Sequence, residues 1–246
     1  MAVVEKTIDI IGDEAFCSMI ISRKVPEGLP VDIYDEAVRK LREYALYYMG
    51  DVESLNFPNV TMIGAYALHD CKALKRISFP ACTSIGARIC QGCSALTDIE
   101  LPLVTGLTEC CFADCTQLVT VSLPAVLSTG SIGFFGCSSL ENVILPKATT
   151  IAGSSFYGCT ALEKIDLPSV RTINATAFQY CSSLAEVNLG PNISSIAANA
   201  FSNTAEGIVI NLPVAEGAVA NAPWGATNAV INYNTPYAGD VPVPGA

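Results

Sequence analysis

The chain has 246 residues, of which 51% are hydrophobic and 15% charged, so it can fill a substantial core and disorder is excluded. A formal net charge of -10 argues against sequence-independent binding to nucleic-acid phosphates, which depends on Lys and Arg. Mean hydropathy is positive, yet no apolar run approaches the ~18 to 20 residues of a spanning helix, so no membrane span is expected.

From the N-terminus, Met1 to Lys6 offer neither a basic n-region nor an apolar h-region behind it, and no secretory signal peptide is expected. Residues 1–30 read as a folded N-terminal extension. Within it Ile11, Gly12, Ala15 and Phe16 echo half of the repeat that fills the middle of the chain, but out of its period. Residues 31–50 predict a capping helix. Tyr34, Ala37, Val38, Leu41, Ala45 and Tyr48 follow helical spacing, with Asp32, Asp35 and Glu36 near the positive end and Arg39, Lys40 and Arg42 after them. Asp35 to Arg39 and Glu36 to Lys40 add i, i+4 pairs, and Gly50 is a plausible stop.

Beyond Gly50 a 22-residue rhythm dominates the chain. Pro58, Pro80, Pro102, Pro124, Pro146 and Pro168 keep that spacing, as do Cys71, Cys93, Cys115, Cys137, Cys159 and Cys181. Leu74, Leu96, Leu118, Leu140, Leu162 and Leu184 come three residues after the cysteines. Gly190 is one inserted residue, after which the pattern resumes through Ile193, Ile196, Phe201, Ile210 and Leu212. The unit reads L-x-x-I-x-L-P-x-V-x-x-I-G-x-x-A-F-x-x-C-x-x. In L-x-x-I-x-L the last two apolar residues are two apart and share one face of a short strand. The proline behind them has no N–H to donate and ends the strand in every coil. The half I-G-x-x-A-F-x-x-C spaces its apolar residues at three and four, as helix-like turns on the opposite wall would. Gly64, Gly86 and Gly130 suit a close or left-handed corner there. Stepping back by 22 places Ala45, Leu46, Met49, Val52, Leu55 and Phe57 in the same columns, so the capping helix runs into a degenerate first repeat.

This template closely resembles the BspA-type leucine-rich repeats of bacterial surface proteins, and similar repeats occur in proteins encoded by gut phages and prophages. The likeness covers roughly residues 45–213. It implies an α/β fold, a right-handed leucine-rich-repeat solenoid with one short parallel strand per 22-residue coil and an N-terminal capping helix. The solenoid is expected over 51–213 and a C-terminal cap over 214–233, where Val230 to Tyr233 adds a closing strand and Trp224 seals the core. Residues 234–246, rich in Pro and Gly, read as a flexible tail.

Eleven cysteines cannot all pair within one chain. The C-x-x-C of Cys90 and Cys93 and the group Cys110, Cys111 and Cys115 suggest zinc or redox chemistry. The template accounts for most of them as small core residues, and free thiols are expected, with no metal and no cofactor. His69 stands beside Asp70 and near Cys71, but Cys71 should point inward and His69 outward, which denies a Cys-His nucleophile. Acidic pairs such as Asp98 with Glu100, or Asp166 with Glu186, sit on outward strand positions, where charge keeps a sheet wet. No catalytic residues and no enzyme activity are expected.

Two outward ladders run along the strands. One is Arg76, Asp98, Thr120, Asn142, Lys164, Glu186 and Val209; the other is Ser78, Glu100, Ser122, Ile144, Asp166, Asn188 and Asn211. They vary while the inward positions repeat, as a recognition surface on a fixed scaffold would; neutral solvent-facing positions would vary too. Phe135 and Tyr157, with Tyr180 close by, form a second candidate patch on the opposite wall. The partner-binding candidates are thus Arg76, Asp98, Glu100, Asn142, Ile144, Lys164, Asp166, Glu186, Asn188, Phe135 and Tyr157. The resemblance implies a noncatalytic interaction or adhesion module that meets a protein or host-surface macromolecule at a cell surface. The alternative is a structural or receptor-contacting part of a phage virion or other assembly.

Overall fold

The computed structural model describes residues 31–34, 36 and 38–237; the expected N-terminal extension at 1–30 and the tail from 238 onward lie outside the described residues. Among the described residues sixteen strands form, and ten of them occupy the same place in successive coils. These are β1 (Val31–Tyr34), β3 (Val52–Asn56), β5 (Arg76–Ser78), β7 (Asp98–Glu100), β8 (Thr120–Ser122), β9 (Asn142–Ile144), β11 (Lys164–Leu167), β13 (Glu186–Leu189), β15 (Val209–Asn211) and β16 (Val230–Asn232). All pair in parallel, so the chain advances by about nine coils of a β-solenoid. Hydrogen bonding divides them into three runs, β1-β3-β5-β7, β8-β9 and β11-β13-β15-β16. The central residue of most points inward, as Ile77, Val121, Ile165, Val187 and Ile210 do, and is buried. The residue before several of the prolines makes the last ladder bond, Phe57 N–H to the Ser78 carbonyl, Phe79 N–H to Glu100 and Leu123 N–H to Ile144 at 3.0 to 3.1 Å, and proline has no N–H with which to continue it.

A second ladder, which the template does not announce, runs along another wall. It comprises the two-residue strands β2 (Lys40–Leu41), β4 (Met62–Ile63), β6 (Ser84–Ile85), β10 (Thr150–Ile151), β12 (Thr172–Ile173) and β14 (Ser195–Ile196). Bridges at Gly106, Ser128 and Thr150 carry it across the middle coils. Most coils therefore hold two strand segments rather than the expected one.

The third wall corrects the helical readings. Among the described residues no helix forms, so the α/β class becomes a β-solenoid. The expected capping helix is instead a first coil, with β1 beside β3, β2 beside β4 and turns over 43–48. The turns repeat in each coil and place left-handed residues four apart: Tyr44 and Tyr48, Tyr66 and Asp70, Arg88 and Gly92, Cys110 and Asp114. Their N–H groups donate to carbonyls 21 residues onward, as in Tyr66 to Ala87 at 2.9 Å, Leu68 to Ile89 at 2.8 Å and Asp70 to Gln91 at 2.8 Å. A helix leaves its first four N–H and last four C=O groups unpaired, which a six-residue wall cannot tolerate. Bonds to the neighbouring coil satisfy the same groups and offset the cost of left-handed backbone. The three-and-four spacing thus reports which residues face the core, not a helix.

Stacking is tight where the coils turn. A Cβ on Gly86 would lie 2.3 Å from the Ala65 nitrogen, so that glycine serves close approach rather than left-handed geometry. The inserted Gly190 does likewise, for a Cβ there would lie 1.6 Å from the Pro168 carbonyl oxygen. The insertion is absorbed at once, since Thr172 pairs with Ser195 and Glu186 with Val209, each 23 residues apart. Inside, Phe112, Phe134, Phe156, Phe178 and Phe201 form a continuous stack with centroids 5.3 to 5.5 Å apart. Trp224, fully buried, follows Phe201 by the same 23-residue step and donates its indole N–H to the Ala220 carbonyl at 2.7 Å. It belongs to the same buried core, and β16 pairs in parallel with β15.

Candidate functional site

The strand wall brings together only part of what the sequence nominated. In its C-terminal half Lys164 pairs with Glu186 at 2.9 Å and lies 4.0 Å from Asp166. The Asn188 amide donates to Asp166 at 2.7 Å and to Glu186 at 2.8 Å. Asn211 donates to Asn188 at 2.6 Å and Asn232 to Asn211 at 2.8 Å, so three asparagines from three coils form a ladder that ends on this charged cluster. The Lys164 ammonium, and then the Asn188 amide, hold the Glu186 carboxyl below its ordinary range. An acid that donates protons near neutral pH needs the opposite shift. This cluster organises the surface, and the shift does not suit Glu186 to donating a proton near neutral pH.

The N-terminal half is looser. Ser78 donates to Glu100 and the Thr97 hydroxyl to Asp98 at 2.7 Å. Arg76 stands exposed over a shallow depression lined by Ser54, Asn56, Ser78 and Glu100 and has no ion-pair partner among the described residues. Between the halves, Thr120, Ser122, Asn142 and Ile144 carry no charge, and Ile144 is 52% exposed.

The cysteines are core residues. Each column thiol donates to a carbonyl 25 residues earlier: Cys71 to Leu46 at 3.1 Å, Cys93 to Leu68 at 3.0 Å, Cys115 to Cys90 at 3.3 Å, Cys137 to Phe112 at 3.2 Å, Cys159 to Phe134 at 3.3 Å and Cys181 to Phe156 at 3.0 Å. Cysteine suits this column because it fills an apolar slot and adds a weak second donor to a carbonyl that already accepts a backbone N–H in its own turn. All ten described cysteines are free, and no described group of three or more His, Cys, Asp or Glu is arranged to hold a metal. In the native state these thiols should react with a charged disulfide reagent at least about a hundredfold more slowly than in denaturant. Rapid stoichiometric labelling of the folded protein would contradict the buried column.

His69 does not face Cys71. Its Nδ1 lies 3.2 Å from the Asp70 carboxylate, and its ring packs against Tyr47, Tyr48 and Tyr66 with centroids 5.2 to 6.0 Å away. This belongs to an aromatic group that sequence reading missed. Tyr44 stacks on Tyr66 at 4.9 Å, Arg88 covers Tyr66 at 5.9 Å, and Tyr47 meets Tyr44 and Tyr48 edge-on. Asp70, then Tyr47, bonds the Tyr48 hydroxyl and pushes its pKa up to about 12. The signal was present, since Tyr44, Tyr66 and Arg88 are 22 apart, as are Tyr47 and His69; a helix assigned to 31–50 hid it. Farther along the same wall Phe135 stacks on Tyr157 at 4.7 Å and Tyr180 meets Tyr157 edge-on at 5.1 Å. These three rings form one contiguous cluster, with Phe135 and Tyr157 half-buried and Tyr180 exposed.

No helix among the described residues is long and apolar enough to cross a membrane. Comparison with curated proteins finds no match. Among solved structures, a leucine-rich cell surface protein from Faecalibacterium prausnitzii is 26% identical with a TM-score of 0.59, over 71% of this chain and 59% of that one. A leucine-rich repeat protein from Bacteroides ovatus is 25% identical with a TM-score of 0.65, over 77% of this chain and 55% of its own. One from Eubacterium ventriosum is 28% identical with a TM-score of 0.57, over 60% and 42%. The chain thus spans less than two thirds of each of these proteins. The family model of the BspA type leucine rich repeat region matches in six copies, over residues 2–119, 39–148 and 107–215. With the repeat, the thiol column and the stacked coils all in agreement, the chain belongs to the BspA-type leucine-rich repeat family.

Proposed function

We propose that the protein is a noncatalytic interaction module that offers its strand wall to a protein partner at a cell or host surface. Leucine-rich repeat proteins are typically interaction or adhesion modules, and one similar structure is described as a cell surface protein. The observation that carries the choice of wall is its zoning. An uncharged centre at Thr120, Ser122, Asn142 and exposed Ile144 lies between a charged end at Arg76, Asp98 and Glu100 and another at Lys164, Asp166 and Glu186. Protein interfaces have this anatomy, a desolvated centre depleted of charge inside a polar rim.

The two zones predict different responses. Ile144→Asp places a charge in the centre and should weaken binding by about tenfold or more, chiefly through faster dissociation. Neutralising Asp98 and Glu100 should instead change the association rate and its salt dependence. Because Ile144 is half exposed, its replacement should shift stability by no more than about 0.5 kcal/mol. The assay captures partners from host and bacterial surface extracts and then measures kinetics on the purified partner. A partner that binds both variants as it binds the parent protein would remove the strand wall from consideration.

A further inference from the structure

The chain does not leave the solenoid at its last strand. Asn232 ends β16, and the backbone partners that follow run in reverse order. Asn234 N–H donates to the Val214 carbonyl at 3.0 Å, and Thr235 N–H then donates to the earlier Leu212 carbonyl at 3.1 Å. Asn234 has a left-handed φ of 54°, and the Thr235 hydroxyl donates to the Asn232 carbonyl at 3.2 Å. These bonds close a turn that sends the chain back toward the strands it has just left. Pro236 follows and restricts both its own φ and the backbone of Thr235, which lowers the cost of ordering this short segment.

Tyr237 comes next and reaches the outward face of the strand wall. Its hydroxyl is buried, and burial, then the Asp166 carboxylate, push the phenol's pKa up. Asp166 stands on β11, two coils before β15, and its side chain is outward and half exposed. The ring that faces it therefore lies outside the wall, beside the cluster of Lys164, Asp166, Glu186 and Asn188. Residues 234–237 form a strap over the C-terminal end of the surface assigned above to a partner.

The strap is built to open. Three hydrogen bonds anchor it, and its ring gains from burial, but the Tyr237 hydroxyl has no hydrogen-bond partner among the described residues. A buried polar group without a partner is destabilising, and lifting the ring returns that hydroxyl to water. Burial of the ring and desolvation of its hydroxyl thus oppose one another at a single residue.

We infer that the strap Asn234–Tyr237 is a built-in cover of the strand wall, which a partner displaces to reach the rim at Asp166 and Glu186. This rests on the reading of the strand wall as the interaction surface and adds its regulation. Only molecules with Tyr237 lifted are competent, so apparent affinity falls in proportion to the competent fraction.

The test compares three full-length chains, the parent, Tyr237→Ala and Tyr237→Phe. Hydrogen exchange of the Thr235 amide and the side-chain amide signals of Asn188 and Asn211 report the seated strap with no partner present. Tyr237→Ala should speed Thr235 exchange by about tenfold and shift the asparagine signals. Tyr237→Phe keeps the ring without the unpaired hydroxyl and should slow exchange by about threefold. A peptide of residues 234–240 should shift the asparagine signals of Tyr237→Ala more than those of the parent, whose own strap competes at high effective concentration. Toward the purified partner, Tyr237→Ala should bind about threefold more tightly than the parent and Tyr237→Phe about threefold more weakly. Equal Thr235 exchange in all three chains would overturn the strap. Weaker binding by Tyr237→Ala would make the tyrosine a contact and overturn displacement. Equal partner affinity in all three chains, with Ile144→Asp still weakening binding, would remove the cover and leave the wall as the interaction surface. If Ile144→Asp also bound as the parent does, the wall would be lost and the cover with it.

Discussion

Above pH 9 the protein should lose stability steeply under reducing conditions. Burial pushes the thiols of Cys90, Cys111, Cys115, Cys137 and Cys159 above their ordinary value of 9.0, Cys111 to about 11. Below pH 9 these thiols are protonated in both folded and unfolded chains and contribute no pH dependence. Above it the unfolded chain releases protons that the folded chain retains, so the unfolded state binds fewer protons and stability falls as pH rises. Each thiol that stays protonated in the folded chain contributes about 1.4 kcal/mol per pH unit, so several acting together make the loss steep. Denaturant midpoints measured from pH 8 to pH 10.5 would show it. Cys137→Ala should reduce the slope by one proton while costing stability at neutral pH, where the Phe112 carbonyl keeps only the Cys115 N–H of its two donors. A midpoint that stayed level to pH 10 would mean the thiols already meet water in the native state.

The repeat made most of this fold legible. The inward columns, the thiol column and the parallel strands all derive from residues that recur every 22 positions, because recurrence under stacking marks which side chains share a core. Backbone geometry stayed hidden. Apolar spacing of three and four is common to an amphipathic helix and to a six-residue wall of tight turns, and side-chain pattern alone does not separate them. Their backbone partners differ: Tyr44 N–H donates to Ala65 of the next coil, a bond that no reading of residues 31–50 in isolation reveals. The same local view missed the second ladder, since two-residue strands such as Lys40–Leu41 are too short to show alternation. It also missed the Tyr44 stack, whose members sit in different coils. The candidate site was legible as columns but not as contacts. Asn188, Asn211 and Asn232 recur in one outward column, yet only coordinates show them hydrogen-bonded in series.

Phe156→Ala should cost about 3 to 5 kcal/mol, the largest loss expected from a single side chain here. Phe156 is fully buried and stacks on Phe134 at 5.3 Å and on Phe178 at 5.4 Å, nearly parallel to both. Truncation removes two ring contacts and leaves a cavity between coils whose walls are fixed by inter-coil hydrogen bonds, Phe134 to Ser155 at 2.7 Å and Phe156 to Ala177 at 2.9 Å. Those bonds limit collapse into the space, which places the cost toward the upper part of the range. Position sharpens the expectation. The strand ladder already lacks pairing between β9 and β11, so coupling between the two halves depends on the ring stack and the remaining walls. In a stacked array each coil is held by its neighbours, and weakening one interface lets the two sides unfold separately. Phe156→Ala should therefore broaden the denaturant transition. Hydrogen exchange should lose protection first near residues 150–180 while the coils around Leu74 and Leu96 stay closed. Phe156→Leu, which keeps most of the volume, should lose less and retain one transition. A single sharp transition shifted by less than about 1 kcal/mol in the alanine variant would show that the stack does not join the two halves, and that the hydrogen-bonded walls alone carry the coupling.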